Sequence, residues 1–254
     1  MVGHLIFFNK NFFSKRLFLN KKLFHIVYVF LFISCYLKNS NAMEFRYAAN
    51  GGNCYSCSWL VAEGEINERS HLDFEKFIAG SNLEGKTILL NSNGGNVFAA
   101  IQLGIKFREL KLYTKVARSF YPPRCDNDNA DCHSASYYEE IGKGKCLSAC
   151  AYAFLGGVGR EVASENQFTG HPDSVIGFHQ FYNSGSKMDR INKIIEEETL
   201  FSEEQLFSAI LLKYITDMGV DANVLALSGL AGPSQMYYPN AEERKRLKID
   251  YILD

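Results

Sequence analysis

The sequence predicts an α/β fold, a single domain built from βαβ units around a parallel sheet. Three observations carry that expectation. Lys86-Thr87-Ile88-Leu89-Leu90-Asn91 is a short apolar run bounded by Gly85 and by the turn residues Ser92-Asn93-Gly94-Gly95, the pattern of a strand buried on both faces. Val97, Ala100, Ile101, Gly104, Ile105 and Leu110 then recur at helical spacing, and Tyr113-Thr114-Lys115-Val116-Ala117 reads as a further strand. Strand, glycine turn, helix and strand in that order make a right-handed crossover the expected topology, with ligand sites at the C-terminal ends of the strands.

The other elements follow in order. Residues 1–42 read as an export signal: six Lys/Arg and no acidic residue, an apolar run from Leu23 to Ile33, and the small residues Ser40 and Ala42 ahead of Met43. The apolar run is shorter than the ~20 residues of a spanning helix, so cleavage after Ala42 is expected. An uncleaved inner-membrane anchor and lipidation before Cys35 stay open as alternatives. Residues 43–254 then form the domain. Trp59 to Ile66 is a strand; Ser70 can cap a helix through Ile78 that stops at Gly80. Residues 119–142, with Pro122-Pro123 and Asp126-Asn127-Asp128-Asn129, break the periodicity and form a polar loop. Ser148 to Phe154 is small or apolar throughout, a helix buried nearly all round that ends at Gly156, Gly157 and Gly159. Val175 to Phe181 is a strand, a charged helical region spans about Met188 to Met218, and a short helix from Ala241 precedes a last strand at 249–253.

Composition narrows the function. The chain has 254 residues, 47% hydrophobic and 22% charged, in the globular range. Removing the six positive charges of the leader takes the net charge of the remainder from −1 to −7, which leaves no basic footprint for nucleic acid. The remaining cysteines are Cys54, Cys57, Cys125, Cys132, Cys146 and Cys150, an even number that in an exported chain points to disulfides. Sequence proximity favours Cys54 with Cys57, Cys125 with Cys132 and Cys146 with Cys150, although the sequence leaves the connectivity open. A zinc site on Cys54 and Cys57 lacks a second pair of ligands at a fitting spacing, so no metal is expected.

Chemistry concentrates on Ser148. A serine hydrolase needs a hydroxyl near an imidazole base, an orienting group behind that imidazole, and backbone N–H donors for the oxyanion. Ser148 stands at a helix start, where the amide of Ala149 is free of an intrahelical partner and lies at the positive end of the dipole. Gly94 and Gly95 allow close backbone approach from a neighbouring turn. His179, on a strand, can supply the base. Each element also has a plainer reading: Ser148 as an N-cap, the glycines as a tight turn, His179 as a half-buried ring.

Taken in order, Leu89-Leu90-Asn91-Ser92-Asn93-Gly94-Gly95-Asn96-Val97, Cys146-Leu147-Ser148-Ala149-Cys150-Ala151 and Ile176-Gly177-Phe178-His179-Gln180 resemble the Clp-protease proteolytic subunit and its crotonase-like relatives. The segment also resembles periplasmic Clp-protease-like proteins of bacteria, which share Cys-x-Ser-Ala-Cys followed by Ala-Phe-Leu-Gly-Gly and Arg, here Ala153 to Gly157 and Arg160. The resemblance covers about residues 59–254. It implies a spiral of βαβ units, Ser148 as nucleophile, His179 as base, and an oxyanion hole from Gly94, Gly95 and Ala149. Two departures stand out. Asn93 replaces a proline, and the stretch matching the triad Asp, Pro233-Ser234-Gln235-Met236-Tyr237-Tyr238, holds no carboxylate, leaving Gln235 or Ser234 as third member. Asp173 and Asp221 are other carboxylates to weigh, His171 is a rival base, and Lys187 or Lys193 would serve a Ser/Lys dyad.

The function expected is an exported serine hydrolase acting on peptide or protein substrates in the periplasm or outside the cell. The alternative is a weak or inactive Clp-like fold that binds an envelope partner. No cofactor is implied, because the acyl-CoA chemistry of crotonase relatives belongs to the cytoplasm. No ATPase partner is expected, since the chain lacks a phosphate-binding G-x-x-x-x-G-K-[ST] loop and an exported protein does not meet a cytoplasmic unfoldase. Clp-like folds assemble into rings, so the resemblance also implies a homo-oligomer. Intact-mass measurement of the exported protein is expected to give Met43 as its first residue; a membrane fraction retaining the leader identifies the anchor instead.

Overall fold

The computed structural model describes residues 41–121, 138–162, 174–180, 197–232 and 234–252. Residues 1–40 of the leader, Cys125, Cys132, His171, Asp173, Lys187, Lys193 and Pro233 lie outside the described residues. Asn41 to Asp254 constitute one compact unit.

Its centre is a five-stranded sheet in the order β1 (Glu44–Ala49), β2 (Ser58–Glu63), β3 (Thr87–Asn91), β4 (Tyr113–Val116) and β8 (Arg160–Val162). β2, β3, β4 and β8 run parallel, as expected from the crossovers, whereas β1 pairs antiparallel with β2, so the sheet is mixed. The reason is local. A short connection closed by the Cys54–Cys57 disulfide returns the chain directly beside the strand it left, which only antiparallel pairing allows.

Alternation along the strands divides the core. Leu60, Ala62, Ile88 and Leu90 face α1 (Ser70–Ile78) and α2 (Val97–Glu109), while Trp59, Val61 and Leu89 form a second cluster with Ala48 and Ala117 on the opposite face. Near that second cluster lie β5 (Arg118–Phe120) and β6 (Glu140–Gly142), a pair the sequence reading leaves as loop. The Trp59 indole N–H donates to Ser119 Oγ at 3.0 Å, Ser119 donates to Glu139 at 2.6 Å, and Arg46 pairs with the buried Glu139 carboxylate. Ser70 begins α1 rather than capping it: its hydroxyl accepts the Asn67 amide at 2.9 Å. Asn96 does cap α2, accepting the Ala99 amide.

A second, two-stranded parallel sheet joins β7 (Lys145–Leu147) to β9 (Val175–Gly177). β7 also continues from β3, because Ser92 bonds the backbone of Lys145 and Leu147. α3 (Ala149–Leu155), entirely buried, packs against α2. The approach is close enough that a Cβ on Gly156 would stand 2.1 Å from the Gly104 carbonyl oxygen. α4 (Glu197–Asp217), α5 (Asn223–Leu230) and α6 (Ala241–Arg246) complete the described fold, and among the described residues the expected last strand forms one bridge, between Tyr251 and Arg160. No helix among the described residues is long and apolar enough to cross a membrane.

Arg160 ties these parts together. Its buried guanidinium donates to the carbonyls of Leu155, Gly157, Met218, Lys248 and Ile249, near the C-terminal ends of α3, α4 and α6. Burial, reinforced by neighbouring Arg108, lowers its pKa to about 10, so it remains charged at neutral pH. Replacing it by Leu leaves those carbonyls without their donor. Each stranded buried acceptor costs about 1–3 kcal/mol, so Arg160→Leu is expected to destabilise the protein by at least ~3 kcal/mol in urea unfolding.

Candidate active site

The site begins with a junction between two elements of opposite geometry. β7 ends at Leu147, α3 begins at Ala149, and Ser148 alone makes the turn, with φ 56° and ψ −124°. A residue with a Cβ in this conformation is strained by roughly 1–3 kcal/mol, and such residues cluster at functional sites. The N-cap reading of Ser148 requires a side-chain bond into the helix, and Ser148 makes none. Its amide donates to the Gly177 carbonyl at 2.8 Å. Its hydroxyl, partly exposed, has no hydrogen-bond partner among the described residues.

Gly94 and Gly95 have separate roles that the sequence reading treats as one. Gly94 is buried at φ 104°, and a Cβ there would stand 2.6 Å from the Leu147 oxygen, 2.8 Å from Ser148 Cβ and 3.0 Å from the Ala149 nitrogen. Its own N–H donates to Ser92 Oγ at 3.0 Å. Gly94 therefore supplies close approach, with its donor already committed. Gly95, at φ 133°, is exposed and bridges to Ile66; a Cβ there would collide with the Ile66 carbonyl. Among the described residues, the amides of Gly95 and Ala149 have no acceptor. Ala149 lies in the first turn of α3, where a free N–H is the rule.

His179 comes to the same edge. β7 and β9 run in parallel register with Leu147 opposite Gly177, so Ser148 and His179 both lie just beyond the C-terminal ends of neighbouring strands. His179 Nδ1 lies 2.5 Å from the Gln180 carbonyl oxygen. A carbonyl can only accept, so Nδ1 carries the proton and Nε2 the lone pair. Gln180 is itself anchored, its amide on the Ala231 carbonyl at 3.0 Å and its side-chain amide on the Gly229 carbonyl at 2.7 Å.

The segment holding the other third-member candidates runs alongside. Tyr237 exchanges two backbone bonds with Phe178, and Met236 packs on Gly177. Ser234 and Gln235 are exposed, and neither hydrogen-bonds His179 among the described residues. Asp221 is occupied elsewhere: hydrogen bonds from the backbone and side chain of Asn223 hold its carboxyl below the usual range. Sequence reasoning puts Ser92 at the strand-end edge without its bond to Gly94, and gives Gln180 no role. The Ser92-x-Gly94 spacing is a signal for a side-chain turn, but a backbone carbonyl behind a histidine leaves no mark in residue identity.

The cysteines resolve into two bridges among the described residues. Cys54 pairs with Cys57, and Cys146 pairs with Cys150 across the Ser148 turn. Two cavities, of about 350 and 280 Å³, open beside Trp59 on other parts of the surface; neither is lined by Ser148, Gly94 or His179.

No protein-family model matches the chain, and no curated protein matches it significantly. The resemblance to Clp-type peptidases therefore rests on the three short blocks and on Arg160. Gly94→Ala is expected to cost about 1–3 kcal/mol, from a positive φ and a backbone clash at once, and to displace Ser148. Thermal unfolding and a crystal structure of the variant would measure both effects.

Proposed function

We propose that the protein is an exported serine hydrolase, an ATP-independent peptidase with a Clp-like spiral fold, in which Ser148 is the nucleophile and His179 the base. The observation that carries this reading is the positive-φ turn at Ser148 between β7 and α3. That is the arrangement by which strand–turn–helix hydrolases raise a nucleophile above its surroundings. In this reading His179 Nε2 takes the proton from Ser148 Oγ as the Oγ–carbon bond forms at a peptide carbonyl. The developing oxyanion accepts from the Ala149 amide, with Gly95 as the second free donor. Nε2 then returns the proton to the leaving amine, and water attacks the acyl-serine by the same route. The predicted leader and two disulfides support a periplasmic or secreted location, and the resemblance supports assembly of several copies.

A second reading, a binding protein with little turnover, is favoured by one observation: the group behind His179 is a carbonyl rather than a carboxylate. A carbonyl fixes the tautomer but does not neutralise an imidazolium, and loss of a triad carboxylate costs on the order of 10⁴ in kcat. Slow hydrolysis is accordingly expected of the enzyme. A fluorophosphonate probe is expected to label Ser148 in the folded protein, to fail on Ser148→Ala, and to react about 100-fold or more slowly with His179→Gln. Absence of labelling in the wild type, with peptide binding retained in Ser148→Ala, would decide for the binding protein.

A further inference from the structure

In the G-x-S-x-G form of a strand–turn–helix nucleophile, glycines stand two residues either side of the serine. Here those offsets hold Cys146 and Cys150. Both are fully buried, their Cα atoms are 5.1 Å apart, and their sulfurs are bonded. Leu147 donates to Ser92 and Ser148 to Gly177, which fastens β7 to its neighbours, and Ala151 donates to the Ser148 carbonyl at 3.0 Å within the first turn of α3. The disulfide is the covalent link that closes β7 onto α3, across the positive-φ residue at that turn. A serine at φ 56° relaxes toward negative φ unless its surroundings forbid it, and a bond between the flanking residues removes the relaxed conformers.

We infer that oxidation of Cys146 and Cys150 is the step that sets Ser148 in its working conformation, so that the site forms only after the chain leaves a reducing compartment. The idea of activation rests on the hydrolase reading above; the claim about backbone conformation does not. In the chemistry, two thiols lose two protons and two electrons to a protein or small-molecule disulfide, which departs as two thiols. A chain held reduced has an open turn, with the Ala149 amide and the Ser148 hydroxyl out of mutual register, so a peptidase made inside the cell stays silent there. Once formed, the bridge is sealed from solvent thiols by its burial, and the change runs one way. The Cys54–Cys57 bridge differs: Cys54 is exposed, and the bridge closes the turn between β1 and β2, away from β7.

The test compares full-length wild type, C146A/C150A and C54A/C57A, each checked for folding by far-UV circular dichroism. C146A/C150A is expected to react with a fluorophosphonate about 100-fold more slowly than wild type, in line with the loss from a misplaced reacting group, whereas C54A/C57A keeps the wild-type rate. A crystal structure of C146A/C150A is expected to show Ser148 at negative φ. Where the double variant does not fold, Cys150→Ala alone, which keeps a buried thiol at Cys146, takes its place. Ser148 remaining near φ 56° without the bridge overturns the inference, and so does a relaxed φ with an unchanged labelling rate. If the wild type itself does not label, the hydrolase reading is lost, and the φ of Ser148 alone decides the role of the bridge.

Discussion

Three helices end near one another in this molecule, and the carbonyls at those ends need a donor. Arg160 is that donor. Its fork reaches Leu155 at the end of α3 and Gly157 just past it, Met218 after α4, and Lys248 and Ile249 after α6, while Arg108 shares Leu155 and Met218 from α2. No carboxylate is needed as partner, since the aligned peptide dipoles already place negative partial charge at these ends. The consequence reaches the site. α3 has only seven residues, about 10 Å of rise, so fixing its C-terminal end on Arg160 also fixes the line along which Ser148 is presented.

The parts of the fold legible in the sequence are those where one physical signal acts alone. β3 announces itself by an apolar run between glycine turns, α3 by a run of small and apolar residues, and α2 by helical spacing of its apolar residues. The less legible parts depend on partners far away in the chain. β1 carries Glu44, Arg46 and Tyr47 on an edge where no apolar alternation is required. β5 and β6 hold only three residues each and exist because Trp59 and Glu139 give them something to bond. β8 is set by Arg160 and its carbonyls, which no window of sequence displays.

The candidate site divides in the same way. Ser148, Gly94 and the flanking cysteines are residue-type demands, readable because only certain side chains satisfy a positive φ, a position where a Cβ would stand 2.6 Å from a carbonyl oxygen, or a covalent tie. The group behind His179 is a backbone carbonyl, and every residue has one. Searching 233–238 for a side chain to replace a missing carboxylate looks for the wrong kind of atom. Gln180 contributes through its anchorage on the end of α5, with its side chain acting as a mooring for its own carbonyl.

Trp59 is the chain's sole tryptophan, and its indole is sealed in the small cluster on the face opposite α1 and α2. Its emission is consequently a private reporter of that face. Loss of Ser119 and Glu139 from around the ring would shift the spectrum toward that of a hydrated indole while α3 and the Ser148 turn remained in place. The molecule thus carries its own optical means of separating loosening of its outer layer from rearrangement at the strand ends where the serine stands.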